Sequence, residues 1–352
     1  MTDRLDRAQG ALLGLAAADA AGFPAMYHRM VTMPIRRRWL WRRGLEGDEA
    51  LVNKLPLPYA QAAPDAFAFG PTDDAEQAAL SAQVLLDVGD DPTADQLFDA
   101  WFLRVDPQHD ALWASVADRS AILNARLGLR APITGNDNPH HYDDSSVARS
   151  VPVGIRWAGD PKRAAVVARR LASITNADVG IDGAAAFASA IATVVGGGTI
   201  ADAVLAARRE IGDGTWISRQ WGLAEDVLAA EGSVLAAIPR FNNEVANLGY
   251  AYGNAVAETL PIALIIARET ANYGEAVGLA VLIPKQADTM PPMVGALVGA
   301  ASGADALPAT WCAAVEELRG TCVPSTKGLR LRDLAVQLIE PSEVRRAIPT
   351  VR

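Results

Sequence analysis

Two acidic segments, about 215 positions apart, place aspartate and threonine side chains where helices are predicted to begin. The first contains Thr72, a suitable N-cap, followed by Asp73 and Asp74, and the second contains Asp288 and Thr289. Adjacent carboxylate and hydroxyl oxygens are hard ligands that suit Mg²⁺. The simpler explanation is an ordinary helix start, where acidic residues complement the helix dipole. The metal hypothesis therefore requires the two segments to meet in the folded protein.

Burial adds to the chemical interest of these carboxylates. Asp288 follows a strongly apolar stretch, Val277–Pro284, so its carboxylate is expected to lie deep in the protein. A buried carboxylate is costly unless a metal or another partner compensates its charge. A further acidic residue, Asp19, interrupts a helix that is otherwise nearly all alanine. We expect Asp19 to cap, pair with or orient another group, and a structural role is favoured over a functional one.

The elements that must position these residues are predicted to be helices. Apolar residues recur at helical spacing, alanine is abundant, and strand-like alternation is scarce. Many helices of about 10–15 residues with short links indicate an all-α bundle rather than an α/β fold. No repeat or linker divides the sequence, so one domain is predicted for residues 1–352. The predicted helices are Arg7–Ala21, Asp74–Asp87, Ala94–Leu103, Pro161–Thr175, Ile181–Val195, Ile200–Arg209, Trp221–Ala237, Ala255–Ala267, Gly274–Ile283, Met290–Ala301 and Ala309–Leu318.

Two long segments lack helical periodicity. Residues 24–70 contain five prolines and a basic, tryptophan-bearing stretch, Arg36–Arg43. Residues 130–148 are also predicted to be irregular and include the pair His140 and His141. Long irregular segments inside a domain often line a functional site.

Composition and charge exclude several classes of function. The chain is 50% hydrophobic and 21% charged, so an extensive core is possible, and its net charge of -9 argues against binding nucleic acid. Cys312 and Cys322 cannot form a disulfide framework and are expected to be ordinary thiols in a reducing compartment. The charged N-terminus lacks the apolar run of a signal peptide, and no stretch of about 18 apolar residues suggests a membrane span. A cytoplasmic protein without a membrane partner is expected.

Five segments, in order along the chain, resemble the signature motifs of the ADP-ribosylglycohydrolase family. Gly14–Gly22 is similar to G-x-x-x-G-D-A-x-G, and Pro71–Ala75 is similar to W-T-D-D-T. Asp143–Gly154 resembles G-N-G-x-x-M-R-x-x-P-x-G, and Asn254–Leu264 resembles V-x-D-T-L-P-A-A-L. Pro284–Ala296 resembles G-G-D-T-D-T-I-A-A-I-A-G-A and keeps its second aspartate and the threonine that follows.

This resemblance implies an orthogonal α-helical fold with a two-metal Mg²⁺ centre at the base of a cleft. The implied metal ligands are Thr72, Asp73, Asp74, Asp288 and Thr289. The three aspartates are also the implied catalytic residues, with Asp74 or Asp288 positioning the attacking water. Cleavage of a ribosyl bond passes through an oxocarbenium-like state that nearby carboxylates stabilise. The implied substrate is a small ADP-ribosyl, nucleotide or nucleoside compound.

A second set of residues is expected to contact that substrate. Asp143, Asp144 and Ser145 replace the Gly-Asn-Gly of the family, in a segment that normally lies near the substrate. Arg149 in the same motif and Tyr252, just before the fourth motif, complete the set. The changed triplet suggests a divergent substrate rather than the usual ADP-ribosylated protein side chain.

Three departures from the family pattern concern the chemistry directly. Gln286 stands where the family has the first aspartate of its last motif, which predicts a single tightly bound Mg²⁺ or weak occupancy of a second site. Met26 replaces a glutamate that some members carry, and Asn176 replaces a histidine. One alternative is therefore a catalytically silent ADP-ribose- or nucleotide-binding protein. Another is a hydrolase of free nucleosides or of a small biosynthetic glycosyl conjugate.

Three further features have a simpler structural explanation than a functional one. His28 could act as an acid or base, but a loop histidine without a role is favoured. Arg36–Arg43 could recognise phosphate or stack on a base, but a solvated basic surface is favoured. His140 and His141 could bind a metal, but paired loop histidines usually belong to the polar surface.

Overall fold

The computed structural model of the chain describes residues 4–22, 69–246, 255–270 and 272–340. Within these ranges it contains sixteen α-helices and two isolated β-bridges but no β-strand, which confirms the all-α prediction. The first eight helices are α1 (Arg4–Gly22), α2 (Asp73–Asp87), α3 (Ala94–Val105), α4 (Val116–Arg126), α5 (Ile133–Asn136), α6 (Ser145–Arg156), α7 (Pro161–Ala172) and α8 (Val179–Val195). The others are α9 (Ile200–Arg209), α10 (Trp216–Glu231), α11 (Val234–Arg240), α12 (Val256–Glu269), α13 (Tyr273–Val281), α14 (Met290–Ser302), α15 (Ala309–Val315) and α16 (Leu331–Ile339).

One predicted helix, Trp221–Ala237, is wrong because it is two helices in the structure. Gly232 adopts the left-handed conformation, with φ 74°, and ends α10. Ser233 then begins α11, because its hydroxyl oxygen accepts a hydrogen bond from the backbone N–H of Ala236 at 3.3 Å. A glycine that ends one helix next to a serine that caps another is a common helix-breaking signal.

The predicted irregular segment, residues 130–148, is also partly wrong. It contains the short helix α5, and α6 begins inside it at Ser145 and continues through Pro152. Helix α4 was not predicted either, although its cap is visible in the sequence. The side chain of Ser115 accepts a hydrogen bond from the N–H of Asp118 at 3.1 Å. Helix α16 likewise lies outside the predicted set.

Helices α1 and α14 cross at very short range through glycines. Gly10 lies against Gly299 and Gly14 lies against Gly295, and a Cβ on any of the four would overlap the backbone of the opposite helix. The hydroxyl of Tyr273, on α13, donates a buried hydrogen bond of 2.6 Å to the carbonyl oxygen of Gly14. The glycine contacts fix α14 along α1, and with it the segment that leads into α14, and the Tyr273 hydrogen bond joins α13 to α1.

Helix α8 lies at the centre of the bundle, where it packs against α6, α7 and α9. Phe187 and Ile191 are fully buried on it, and Gly154 of α6 packs directly on Ile191. A helix that is apolar on all sides is buried on all sides, which accounts for the alanine-rich composition of α8.

One hydrophobic cluster includes residues from Ala8 to Leu338. The single domain predicted for residues 1–352 stays a prediction. Among the described residues, no helix is both long enough and apolar enough to cross a lipid bilayer.

Candidate metal centre and surrounding site

Asp19, on α1, holds the first turn of α2. Its carboxylate accepts hydrogen bonds from the backbone N–H of Thr72 at 2.9 Å, from that of Ala75 at 3.2 Å, and from the Thr72 hydroxyl. Thr72 occupies the N-cap position, yet its own side chain makes no cap hydrogen bond. The N-cap role predicted for the Thr72 side chain is therefore wrong, because Asp19 supplies the cap from another helix. The positive end of the α2 dipole favours a carboxylate at this place.

Three carboxylates meet where α1 ends and α2 begins. Ligand oxygens of Asp19, Asp73 and Asp74 all lie within 4.8 Å of one another. Asp19 is buried, whereas Asp73 and Asp74 are half-buried. Three oxygen donors at this spacing match the preference of Mg²⁺ for hard ligands. These side chains are the only group of three or more histidine, cysteine or acidic residues in the described ranges that could hold a metal ion.

Burial and mutual repulsion raise the pKa of two carboxylates in this cluster. Burial, and then the Asp73 carboxylate, raise the pKa of Asp19 from 3.8 to about 7, although its hydrogen bonds act in the opposite direction. Burial also raises the pKa of Asp74 well above its ordinary value. The carboxylates of Asp73, Asp19 and Asp144 raise that pKa further, and the Arg149 guanidinium opposes them. A cation bound here would favour the ionised carboxylates and relieve the repulsion among them.

The second predicted segment begins with a short 3₁₀ turn, Pro284–Gln286, before Asp288, Thr289 and α14. Gln286 is fully buried, and its Nε2 donates a hydrogen bond of 2.9 Å to Oε2 of Glu258. The carboxamide oxygen of Gln286 and the hydroxyl oxygen of Thr289 are buried without a hydrogen-bond partner among the described residues. Buried oxygens of this kind normally have a partner. Their donor chemistry therefore fits a hard cation next to Asp288.

Both helix starts contact the last turns of α1. The Asp19 carboxylate accepts hydrogen bonds from the backbone at the beginning of α2. One turn later, a Cβ on Gly22 would lie 2.5 Å from the carbonyl oxygen of Ala287, which directly precedes Asp288. The tertiary structure thus brings two segments, far apart in sequence, to the same end of one helix. That Asp288 and Thr289 share a cation with Asp73 and Asp74 stays a prediction.

A buried polar network surrounds Arg149. This side chain forms an ion pair with Asp118 and donates hydrogen bonds to the Thr175 hydroxyl and, at 3.0 Å, to Oδ1 of Asn176. It also lies 3.4 Å from the hydroxyl of Ser145. Arg149 is 6% exposed, so its guanidinium is almost entirely committed to protein partners. Sequence reasoning missed Asp118, which carries no motif.

Asp143 belongs to the same network. Its Oδ1 accepts hydrogen bonds from the Ser145 hydroxyl at 2.6 Å and from Nδ2 of Asn176 at 2.9 Å. Burial and the nearby Asp118 raise the pKa of Asp143, whereas these hydrogen bonds lower it. Asp143 and Asn176 are both fully buried. Asn176 therefore holds the loop before α6 in place, and the substrate contacts predicted for Asp143, Ser145 and Arg149 stay predictions.

Asp144 occupies the N-cap position of α6 and is buried, with its charge close enough to Asp74 to raise the pKa of that residue. This places α6 beside the acidic cluster, so Asp144 and Arg149 are the members of the predicted substrate set that act electrostatically on the cluster. Tyr252 lies outside the described residues, as do Met26, His28 and Arg36–Arg43.

Glu76 is a second acidic residue whose role could not be predicted from the sequence. Its fully buried carboxylate accepts hydrogen bonds from three consecutive backbone N–H groups, those of Thr321 at 3.0 Å and of Cys322 and Val323 at 2.7 Å. The sequence suggested only that Glu76 complements the dipole of α2. In the structure it fastens the loop before α16 to the helix that carries Asp73. The sequence carried no signal of this role, because polar residues such as Gln83 share that face of α2.

His140 and His141 do not belong to the group that could hold a metal in the described part of the chain. Nδ1 of His141 lies 3.1 Å from the carbonyl oxygen of Asn138, and both rings lie beside Tyr142. The histidines therefore help to shape the turn before α6.

Comparisons with known proteins agree with this architecture. The sequence model of a family described as ADP-ribosylglycohydrolase matches residues 1–347. A solved structure described as an ADP-ribosylglycohydrolase-related protein complex aligns with 96% of this chain and 98% of that chain, with a TM-score of 0.61 and 22% identity. At this identity the structural likeness shows the fold alone. Among proteins of curated function, none matches the chain by sequence.

Proposed function

Because this chain belongs to the ADP-ribosylglycohydrolase family, we propose that it is a Mg²⁺-dependent hydrolase of an N- or O-glycosidic ribosyl bond. Membership supports hydrolysis of a glycosidic bond, and the family acts on small ADP-ribosyl substrates. The finer proposal is that the substrate is an ADP-ribosyl compound or a related nucleotide or nucleoside. The observation that carries the proposal of a Mg²⁺-dependent hydrolase is that Asp19, Asp73 and Asp74 lie close together at the start of α2.

The proposed metal ligands are Thr72, Asp73, Asp74, Asp288 and Thr289. Asp19 supports them by fixing Thr72 and the first turn of α2. The raised pKa values of Asp19 and Asp74 support a cation at this place, because a cluster of ionised carboxylates without one is unfavourable. When bound, Mg²⁺ would polarise the hydroxyls of the ribose and make a coordinated water more acidic.

The catalytic work of the chain itself is positioning and charge compensation. Asp74 and Asp288 hold the attacking water by accepting hydrogen bonds from it. As the bond from the ribose C1′ to the aglycone breaks, positive charge develops on the ribose, and Asp73 and its neighbours stabilise this charge. The water oxygen then forms the new bond to C1′, and its proton leaves with the aglycone.

Among the predicted substrate-binding residues, we assign different tasks. The charge of Asp144 raises the pKa of Asp74, so Asp144 lies close to the acidic cluster. We propose that it contacts a sugar hydroxyl. Asp143 and Arg149 act as supports, because their polar atoms bind Ser145, Asn176 and other buried groups. A rigid loop before α6 would keep Asp144 in a fixed place relative to α2.

The proposal is tested with the full chain and a panel of N-linked, O-linked and nucleoside substrates. Release of ribose or ADP-ribose is measured with Mg²⁺ and with a chelator. We expect Mg²⁺-dependent turnover of at least one substrate, and a loss of at least about a hundredfold in kcat/KM for Asp73→Asn and for Asp288→Asn. The control is Asp213→Asn, whose side chain is fully exposed. Full activity in both site variants would refute the assignment.

A silent binding protein is the second candidate. It is favoured by Gln286 and Lys285, which place a neutral amide and an ammonium group in the segment that leads to Asp288. In that case ADP-ribose or a nucleotide would raise the melting temperature, and no substrate of the panel would be cleaved in Mg²⁺.

A further inference from the structure

The side-chain amide of Gln286 has a nitrogen and an oxygen, and only the nitrogen forms a hydrogen bond among the described residues. Its amide nitrogen donates a hydrogen bond of 2.9 Å to Oε2 of Glu258. The same carboxylate oxygen accepts a hydrogen bond of 2.9 Å from Nζ of Lys285. Glu258 and Gln286 are fully buried, and Lys285 is 7% exposed. The carboxamide oxygen of Gln286 has no hydrogen-bond partner within the described ranges.

The carboxylate of Glu258 determines which way the amide faces. An amide nitrogen is only a donor and an amide oxygen is only an acceptor. Rotating the amide by half a turn would place its oxygen against the Glu258 carboxylate, so that two acceptors would repel each other. The nitrogen is therefore held at Glu258 and the oxygen is directed to the opposite side. Lys285 compensates the charge of Glu258, which allows this arrangement to be buried.

Gln286, Asp288 and Thr289 lie in the short segment that leads into α14. The hydroxyl oxygen of Thr289 is also buried without a hydrogen-bond partner in the described part of the chain. Two buried oxygens, each lacking a donor and separated by two residues, indicate a ligand that accepts electron pairs. A divalent cation does so, and oxygen donors of this kind are among its usual ligands in proteins.

We propose that Glu258 and Lys285 are positioning residues that present the Gln286 carboxamide oxygen as a neutral ligand to the cation held by Asp288 and Thr289. This inference rests on the proposed function, because it needs a cation at that site. It assigns a role to an ion pair that neither the acidic cluster nor the proposed reaction uses. It also makes Gln286 a ligand in its own right rather than only the loss of a negative charge.

The test measures Mn²⁺ affinity by the electron paramagnetic resonance of the free ion, with the full chain. Four proteins are compared, namely wild type, Gln286→Met, the double variant Glu258→Gln/Lys285→Met, and the triple variant that combines all three changes. The double variant removes one negative and one positive charge, so the net charge near the cation is unchanged. Melting temperatures are recorded in parallel. The matched control is Glu225→Gln/Arg268→Met, which removes a surface ion pair of 2.7 Å.

We expect Gln286→Met to weaken Mn²⁺ binding by about tenfold. The double variant should lose at least about threefold, since its amide is free to turn, and the control should bind as wild type does. Because the pair acts through Gln286, the triple variant should bind no more weakly than Gln286→Met. Wild-type affinity in Gln286→Met would overturn the proposal. A further loss in the triple variant, equal to that of the double variant alone, would overturn the positioning role.

A second variant covers the case in which the double variant does not fold. Glu258→Asp keeps the charge but moves the carboxylate away from both donors by one methylene. When it is combined with Gln286→Met, the protein is expected to bind Mn²⁺ no more weakly than Gln286→Met alone. Failure of the proposed metal centre gives a different result, because wild type would then bind no Mn²⁺ or Asp73→Asn would bind it unchanged. Failure of the proposed hydrolysis alone would appear as absence of turnover in the substrate panel, with the Mn²⁺ affinities as expected. Failure of this inference leaves wild-type binding and its loss in Asp73→Asn intact.

Discussion

Asp19 is expected to make the metal-free protein less stable as the pH rises. Its pKa lies at about 7 in the folded protein and near 3.8 without burial. Between these values the folded state keeps a proton that the unfolded state has lost, so the free energy of unfolding falls with increasing pH. Each pH unit corresponds to about 1.4 kcal/mol, and the window spans about three units. The total is at most about 4 kcal/mol, present in full below about pH 4 and lost above about pH 7.

The variant that isolates this effect is Asp19→Asn. The asparagine oxygen can accept from the N–H groups of Thr72 and Ala75, and the amide nitrogen can donate to the Thr72 hydroxyl, so the cap is retained. The free energy of unfolding of both proteins is measured by urea denaturation with a chelator, from pH 4 to pH 8. Titrating groups that do not interact with Asp19 cancel in the difference. From pH 4 to pH 8, we expect the free energy of unfolding of the variant to rise relative to that of wild type by up to about 4 kcal/mol.

Mg²⁺ should reduce the stability difference between wild type and Asp19→Asn. A concentration about a hundredfold above the dissociation constant stabilises a protein by about 2.7 kcal/mol. At pH 8 this gain is expected for wild type and a smaller gain for Asp19→Asn, because the variant lacks one carboxylate of the cluster. A difference between the two proteins that stays constant with pH in the chelator would refute the reasoning about Asp19.

Three further outcomes are expected. Gly14→Ala should destabilise the protein by about 1–3 kcal/mol, since its methyl group would overlap α14, whereas Gly222→Ala, with open space around it, should be neutral or stabilising in thermal unfolding. Arg149→Met should cost about 3–5 kcal/mol in urea denaturation, because it leaves Asp118 buried without its ion pair, and a smaller loss in Asp118→Asn/Arg149→Met would confirm this cause. Gln286→Asp should raise the number of tightly held Mg²⁺ ions from one to two in metal analysis after gel filtration, and two ions in wild type would contradict the sequence-based expectation of one.

The helical fold could be predicted from the sequence because it depends on local periodicity. The predicted helix Arg7–Ala21 lies within α1, and Ile200–Arg209 coincides with α9. The errors arose where a single residue outweighed periodicity, as when Gly232 divided a predicted helix in two. Helix α6 was missed entirely, because the polar residues at and before its beginning suggested a loop, although their side chains hold one another in a buried network.

The candidate site divides in a similar way. The proposed aspartate and threonine ligands could be named from motifs, since those motifs preserve the residue types that bind a hard cation. Asp19 was expected to have a structural role, and its cap on α2 is such a role, yet its place beside Asp73 and Asp74 was not foreseeable. Asp118 and Glu76 were missed because their partners are distant in sequence.

The sequence by itself indicated most of the helices and the residue types that could hold a cation, since helix periodicity and side-chain chemistry are local properties. Only the tertiary structure decided that α2 and the segment before α14 contact the same end of α1. It also decided which oxygens remain without a donor and how far each carboxylate departs from its ordinary pKa. These properties depend on distances between parts of the chain that are far apart in sequence, and close helix crossing through Gly14 and Gly295 sets those distances.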